Sequence, residues 1–104
     1  MTIECTKFYI NGDWVAPAQA TTHQVINPAT EQPYASISMG SAKDVNTAVA
    51  AAKAAFPAWS TTSVAARIEI LDKIIAGIKA RAEELAQAIS QEMGAPITMS
   101  RTAQ

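Results

Sequence analysis

The sequence predicts an α/β fold, and three observations predict it. Residues 8–38 break into short extended runs separated by turn residues. At Ser41 the apolar spacing changes from two to about 3.6. A long apolar stripe of helical period then occupies residues 68–89. Strands followed by helices in one short chain imply layers of both kinds around shared apolar surface.

The first extended run, residues 8–15, is interrupted by Asn11-Gly12. That pair predicts a two-residue hairpin, because a type I′ turn needs positive φ at both central positions. Residues 17–22 are small and polar and predict a surface loop. A second pair of strands follows, with His23 to Ile26 in one and Tyr34 to Ser38 in the other. Asn27-Pro28 supplies the turn between them, since proline fixes φ and keeps the preceding residue extended.

Ser41-Ala42-Lys43-Asp44 has the form of a capping box that starts a helix. Val45, Val49, Ala52 and Phe56 share one face of it, and Pro57 is expected to stop it, leaving Trp59 in a loop. Ser63 is the cap of a second, longer helix. Along it Ile68, Leu71, Ile75, Ile78, Ala82, Leu85 and Ile89 form the stripe, widened by Ile70 and Ile74. The helix is expected to end at Met93, with Gly94 as its left-handed stop and Pro96 opening another helix. Over residues 63–93 it would measure about 45 Å at about 1.5 Å per residue. Leu71, Ile75, Ile78 and Leu85 are expected to face a protein core.

Composition narrows the possible functions. A chain of 104 residues accommodates at most one small domain, and much of its 49% hydrophobic content is alanine, which buries little area. Such a chain suits one layer of something larger. The net charge of −1 disfavours a nucleic-acid partner. One cysteine excludes an intrachain disulfide framework. No apolar run approaches the roughly 20 residues that cross a bilayer, and no basic, apolar leader opens the chain, so a cytoplasmic location is expected.

Few residues here carry chemistry. Cys5 would need a nearby base or positive field to act as a nucleophile, and only Lys7 and His23 offer one. Cys5 therefore reads as incidental, and His23 as an exposed strand residue. Gly12, Gly40, Gly77 and Gly94 are isolated and build no phosphate loop. Glu83 and Glu84 are adjacent helical residues, about 100° apart, and read as a solvated face rather than a catalytic pair.

The ordered series of Phe8-Tyr9-Ile10-Asn11-Gly12-Asp13-Trp14-Val15, Val25-Ile26-Asn27-Pro28-Ala29-Thr30, Ala48 through Trp59, Ser63-Val64-Ala65-Ala66-Arg67 and Glu92-Met93-Gly94-Ala95-Pro96 resembles the amino-terminal segment of NAD(P)-dependent aldehyde dehydrogenases. The resemblance covers residues 7–96. It implies that residues 1–104 form the amino-terminal part of a Rossmann-like coenzyme-binding domain. The catalytic and oligomerisation domains would then be absent from this chain. In that family a cysteine thiolate attacks the aldehyde, hydride passes to the nicotinamide of NAD or NADP, and a glutamate-activated water releases the acid from the thioester. An asparagine side chain and a backbone N–H stabilise the oxyanion. None of those residues has a counterpart here, so no catalytic or cofactor-binding residue is assigned.

The resemblance also implies an aldehyde substrate, the remainder of the parent chain as partner, and assembly as a homodimer or homotetramer. It places a monovalent cation at the carbonyls of Val25 and Ile26 and the carboxylate of Glu92, a donor set that suits a hard ion. Two departures from the family stand out: Glu31 replaces a frequent glycine after Asn-Pro-Ala-Thr, and Ala95 replaces a frequent lysine. The competing reading is a non-catalytic helical interaction module that dimerises through the stripe of residues 68–89.

Overall fold

Residues 3–102 are described by the computed structural model. Their strands are β1 (Ile3–Cys5), β2 (Phe8–Ile10), β3 (Asp13–Val15), β4 (Thr21–Asn27) and β5 (Gln32–Met39). The helices are α1 (Ala42–Ser60), α2 (Val64–Ala80), α3 (Ala82–Met93) and α4 (Ile97–Thr102). The chain divides into two compact units. One comprises the residues up to Ile26 together with Pro33–Thr61, the other Asn27–Gln32 and the residues from Thr62 onward.

In the first unit Asn11 and Gly12 take φ of 54° and 87°, which closes the expected hairpin. Phe8 pairs with Val15, Tyr9 with Trp14 and Ile10 with Asp13. A separate sheet runs in the order β1-β5-β4. β4 and β5 are joined by residues 28–31, too short for the crossover of about a dozen residues that a parallel pair requires. β1 pairs in parallel with β5, Ile3 opposite Ala35 and Cys5 opposite Ile37. That strand went unpredicted: three residues carry no readable period. Flanked on both edges, β5 buries Ala35 and Ser36. Ser38 Oγ donates to the Thr6 carbonyl at 2.7 Å and holds the link after β1.

The capping box at α1 forms as expected. Asp44 N–H donates to Ser41 Oγ at 3.4 Å, and Ser41 N–H returns a bond to Asp44 Oδ2 at 2.8 Å. Pro57 does not stop the helix, and Trp59 is helical rather than in a loop. Proline deletes one donor and crowds the carbonyl four residues earlier. Here that carbonyl belongs to Lys53, an exposed residue that water can reach. The last turn is closed by hydroxyls, Ser60 Oγ donating to the Pro57 carbonyl and Thr61 Oγ1 to that of Ala58.

In the second unit the expected single long helix is two. Arg81, at φ −111° and ψ 15°, separates α2 from α3. Its N–H is shared between the Gly77 and Ile78 carbonyls at 3.2 and 3.1 Å. Its guanidinium grips Glu84, with Nε to Oε2 at 2.8 Å. The apolar period continues across the break, which is why spacing alone concealed it. Ser63 caps α2 by accepting the Ala66 N–H at 3.1 Å. Gly94 ends α3 at φ 74° with its N–H on the Ser90 carbonyl. The Ser100 N–H bonds to the Pro96 carbonyl at 2.9 Å, opening α4 as expected.

Burial is sparse. Among the described residues the buried hydrophobics are Ala35 and Ala86, both small. The expectation that the stripe faces a core is therefore corrected for this chain: Leu71, Ile75, Ile78 and Leu85 are 40–57% exposed. The stripe also splits in two. α3 packs against α4, burying Ala86 and Ser100, while α2 has no buried residue at all. A 17-residue helix gains little stability without a packed face, so α2 lacks the partner its sequence is written for.

Candidate functional site

Asp44 is the most heavily committed polar side chain of the first unit. Besides its capping bonds, Oδ1 accepts the Ala18 N–H at 2.8 Å, tying the loop after β3 to the start of α1. Hydrogen bonds from the Ser41 and Ala18 backbone and then the Ser41 hydroxyl hold its carboxyl below the usual range. It is an ionised structural anchor. Sequence reading found its capping role through the Ser41 spacing, but no local signal marked Ala18 as its partner.

Beside it, between the hairpin and α1, lies an apolar hollow of about 540 Å³. Phe8, Tyr9, Trp14, Gly40 and Val45 line it, together with Lys7 and Asp44. The Tyr9 and Trp14 rings stand 5.3 Å apart at 59°. The lining holds no thiol or imidazole, and its carboxylate is already bonded. Such a surface receives apolar side chains; it does not move protons. Cys5 and His23 are both exposed, in β1 and β4, as incidental residues would be. Among the described residues no three His, Cys, Asp or Glu side chains gather as a metal site.

The second unit joins two of the sequence motifs. Asn27 Oδ1 accepts the Ala29 N–H at 2.9 Å, and the Glu31 N–H closes on the Asn27 carbonyl at 2.8 Å. Glu31 takes φ 58°, a left-handed value that costs an ordinary residue and suits glycine. Pro28 then packs on the end of α3: a Cβ at Gly94 would stand 3.0 Å from Pro28 Cγ. Ser90 Oγ donates to the Ala95 carbonyl at 2.8 Å and secures the turn into α4.

Glu83 and Glu84 are exposed but not merely solvated. Glu83 receives Arg101 Nε and Nη2, both at 2.8 Å, and Gln87 Nε2 at 2.9 Å. These bonds, Arg101 first, draw its carboxyl down to about 2. Of the three expected cation ligands, Val25 and Ile26 lie at the end of β4 in the first unit, Val25 half-buried and Ile26 exposed. Glu92 is exposed in the last turn of α3 in the second unit, where no basic residue accompanies it. That helix end carries the negative pole of the macrodipole, so a carboxylate there favours a nearby cation.

Comparison with known proteins is decisive at this point. Residues 14–104 match the aldehyde dehydrogenase family. The chain belongs to that family. It is 45% identical over 91 residues to a 3-succinoylsemialdehyde-pyridine dehydrogenase from a Pseudomonas species, covering 88% of this chain and 19% of that protein. It is similar to the crystal structure of an aldehyde dehydrogenase from Bartonella henselae, with a TM-score of 0.96 and 43% identity over 98% of this chain and 21% of that one. It also matches an aldehyde dehydrogenase C variant from Pseudomonas syringae complexed with NAD+ and octanal. There the TM-score is 0.92 and the identity 51%, over 94% of this chain and 20% of that one. The chain thus spans about a fifth of the length of the aldehyde dehydrogenases it matches. Within the family, Glu31 is the departure with a structural consequence, because it occupies a left-handed position.

Proposed function

We propose that this chain is the amino-terminal part of the coenzyme-binding domain of an NAD(P)-dependent aldehyde dehydrogenase. The complete protein oxidises an aldehyde to a carboxylic acid. The observation that carries the reading is the fold match over nearly the whole chain to a relative crystallised with NAD+ and octanal. The open face of α2 supports it, because a segment that exposes a row of isoleucines is written to lie against more protein. The chemistry belongs to residues other than these. The chain's contribution is scaffold: a sheet, a capped helix anchored through Asp44, and a turn seated on the end of α3.

A cytoplasmic homodimer or homotetramer rests on the family resemblance, as does a monovalent cation held by Val25, Ile26 and Glu92. The donor chemistry of two carbonyls and a carboxylate supports that cation. The direct experiment is to express a polypeptide that carries this segment together with the rest of an aldehyde dehydrogenase. NAD+ or NADP+ reduction would then be followed at 340 nm (the nicotinamide absorbance, roughly) with aliphatic aldehydes such as octanal. Aldehyde-dependent reduction is the expected result, and its absence across aldehydes with both coenzymes would refute the reading.

A further inference from the structure

We propose that α2 is a wedge, clasped on two separate sides by the part of an aldehyde dehydrogenase polypeptide outside the segment matched here; this rests on the family reading above. At about 100° per residue, Ile68, Leu71, Ile75 and Ile78 share one ridge of α2, and Ile70 and Ile74 lie beside it, extending the apolar arc to about 160°. All six side chains are exposed, between 41% and 57%. Glu69, Asp72, Lys73 and Lys79 occupy the remaining surface, so one side of the helix is made for water.

A second copy of the chain is the other natural occupant, and two features argue against it. A two-stranded seam covers a narrow a/d row and leaves Ile70 and Ile74 outside. The break at Arg81 further interrupts the row between Ile78 and Leu85, so no straight seam runs through residues 68–89. What accompanies this segment in its relatives is polypeptide: the solved relatives are about five times its length, with the same segment at TM-scores of 0.96 and 0.92. An arc this broad fits burial between two layers of such a fold.

The test co-expresses the 104-residue chain with the Bartonella henselae enzyme lacking the fifth that this chain matches, each carrying its own affinity tag. A one-to-one complex is expected, with amide exchange along α2 slowed at least tenfold, roughly, relative to the chain alone. The pairs Ile75→Asp with Ile78→Asp and Ile70→Asp with Ile74→Asp should each reduce the recovered complex by about tenfold or more, while Lys73→Asp leaves it unchanged. Failure to co-purify overturns the proposal. So does a complex indifferent to the Ile70 and Ile74 pair, or self-association of the chain through Ile75 and Ile78 in place of the complex. A complex that forms as described without oxidising aldehydes counts against the enzymatic reading and leaves the docking of α2 standing.

Discussion

Pro28 sits against Gly94 so closely that a Cβ on the glycine would stand 3.0 Å from the proline Cγ. The Asn-Pro turn and the glycine stop of α3 are therefore two halves of one contact, 66 residues apart in sequence by their numbers. Gly94 is constrained twice, by that approach and by φ of 74°. Gly94→Ala should destabilise the second unit by about 1–3 kcal/mol, combining left-handed strain with the steric conflict. Denaturant unfolding checks this. Adding Pro28→Ala to Gly94→Ala should recover part of the loss, and strict additivity would show that the contact carries no energy.

Glu31→Gly should stabilise the turn. The left-handed backbone costs a non-glycine residue about 1–2 kcal/mol, and glycine's greater freedom when unfolded returns about 0.5–1 kcal/mol of that. A net gain of about 0.5 kcal/mol is expected in the same unfolding measurement. A loss would mean that the Glu31 side chain holds the turn in some other way.

Acid should loosen the α3–α4 pair late. Glu83 titrates at about 2 in the folded chain against an ordinary 4.5, because Arg101 and Gln87 bond its charged form. A depressed carboxylate contributes stability that is fully present above its ordinary value and is lost as pH falls toward about 2. Asp44 is shifted in the same direction, so the α1 cap weakens in acid as well. Carbon-detected NMR of the Glu83 carboxyl gives its midpoint; a value at the ordinary carboxylate position would show that the Arg101 contact does not persist in solution.

Asp44→Ala should release the loop after β3 as well as uncap α1. Its carboxylate accepts both the Ala18 and Ser41 N–H groups at 2.8 Å, and neither is replaced. Amide exchange at Ala18 is expected to quicken roughly tenfold or more, with fraying at the first turn of α1. Unchanged exchange at Ala18 would count against the anchoring role.

Ile75→Ala should have different effects in the two contexts. In this chain the side chain is 48% exposed, and its truncation should cost no more than about 0.5 kcal/mol. In a complete aldehyde dehydrogenase that covers α2 it should cost about 2–5 kcal/mol. Equal costs in both would mean that α2 stays open. The isolated chain is also expected to bind no NAD in calorimetric titration; micromolar binding would contradict its role as scaffold.

Local chemistry was legible in the sequence wherever cause and effect lie within a few residues. Asn11-Gly12 dictated the hairpin, because only positive φ closes it. Ser41 with Asp44, Ser63, and Gly94 with Pro96 set helix ends through bonds spanning no more than five residues. Family membership was legible too, in the order of those same motifs. The tertiary structure decided what depends on distant partners: β1 lying parallel on β5, Ala18 on Asp44, and Pro28 on Gly94. It also decided what periodicity cannot express. The break at Arg81 keeps the apolar phase while dividing the helix, and Pro57 stays helical where water can solvate the carbonyl it leaves unpaired. Spacing identified the apolar face of α2 correctly. Whether that face is covered is a property of what packs against it, and within this chain nothing buries it.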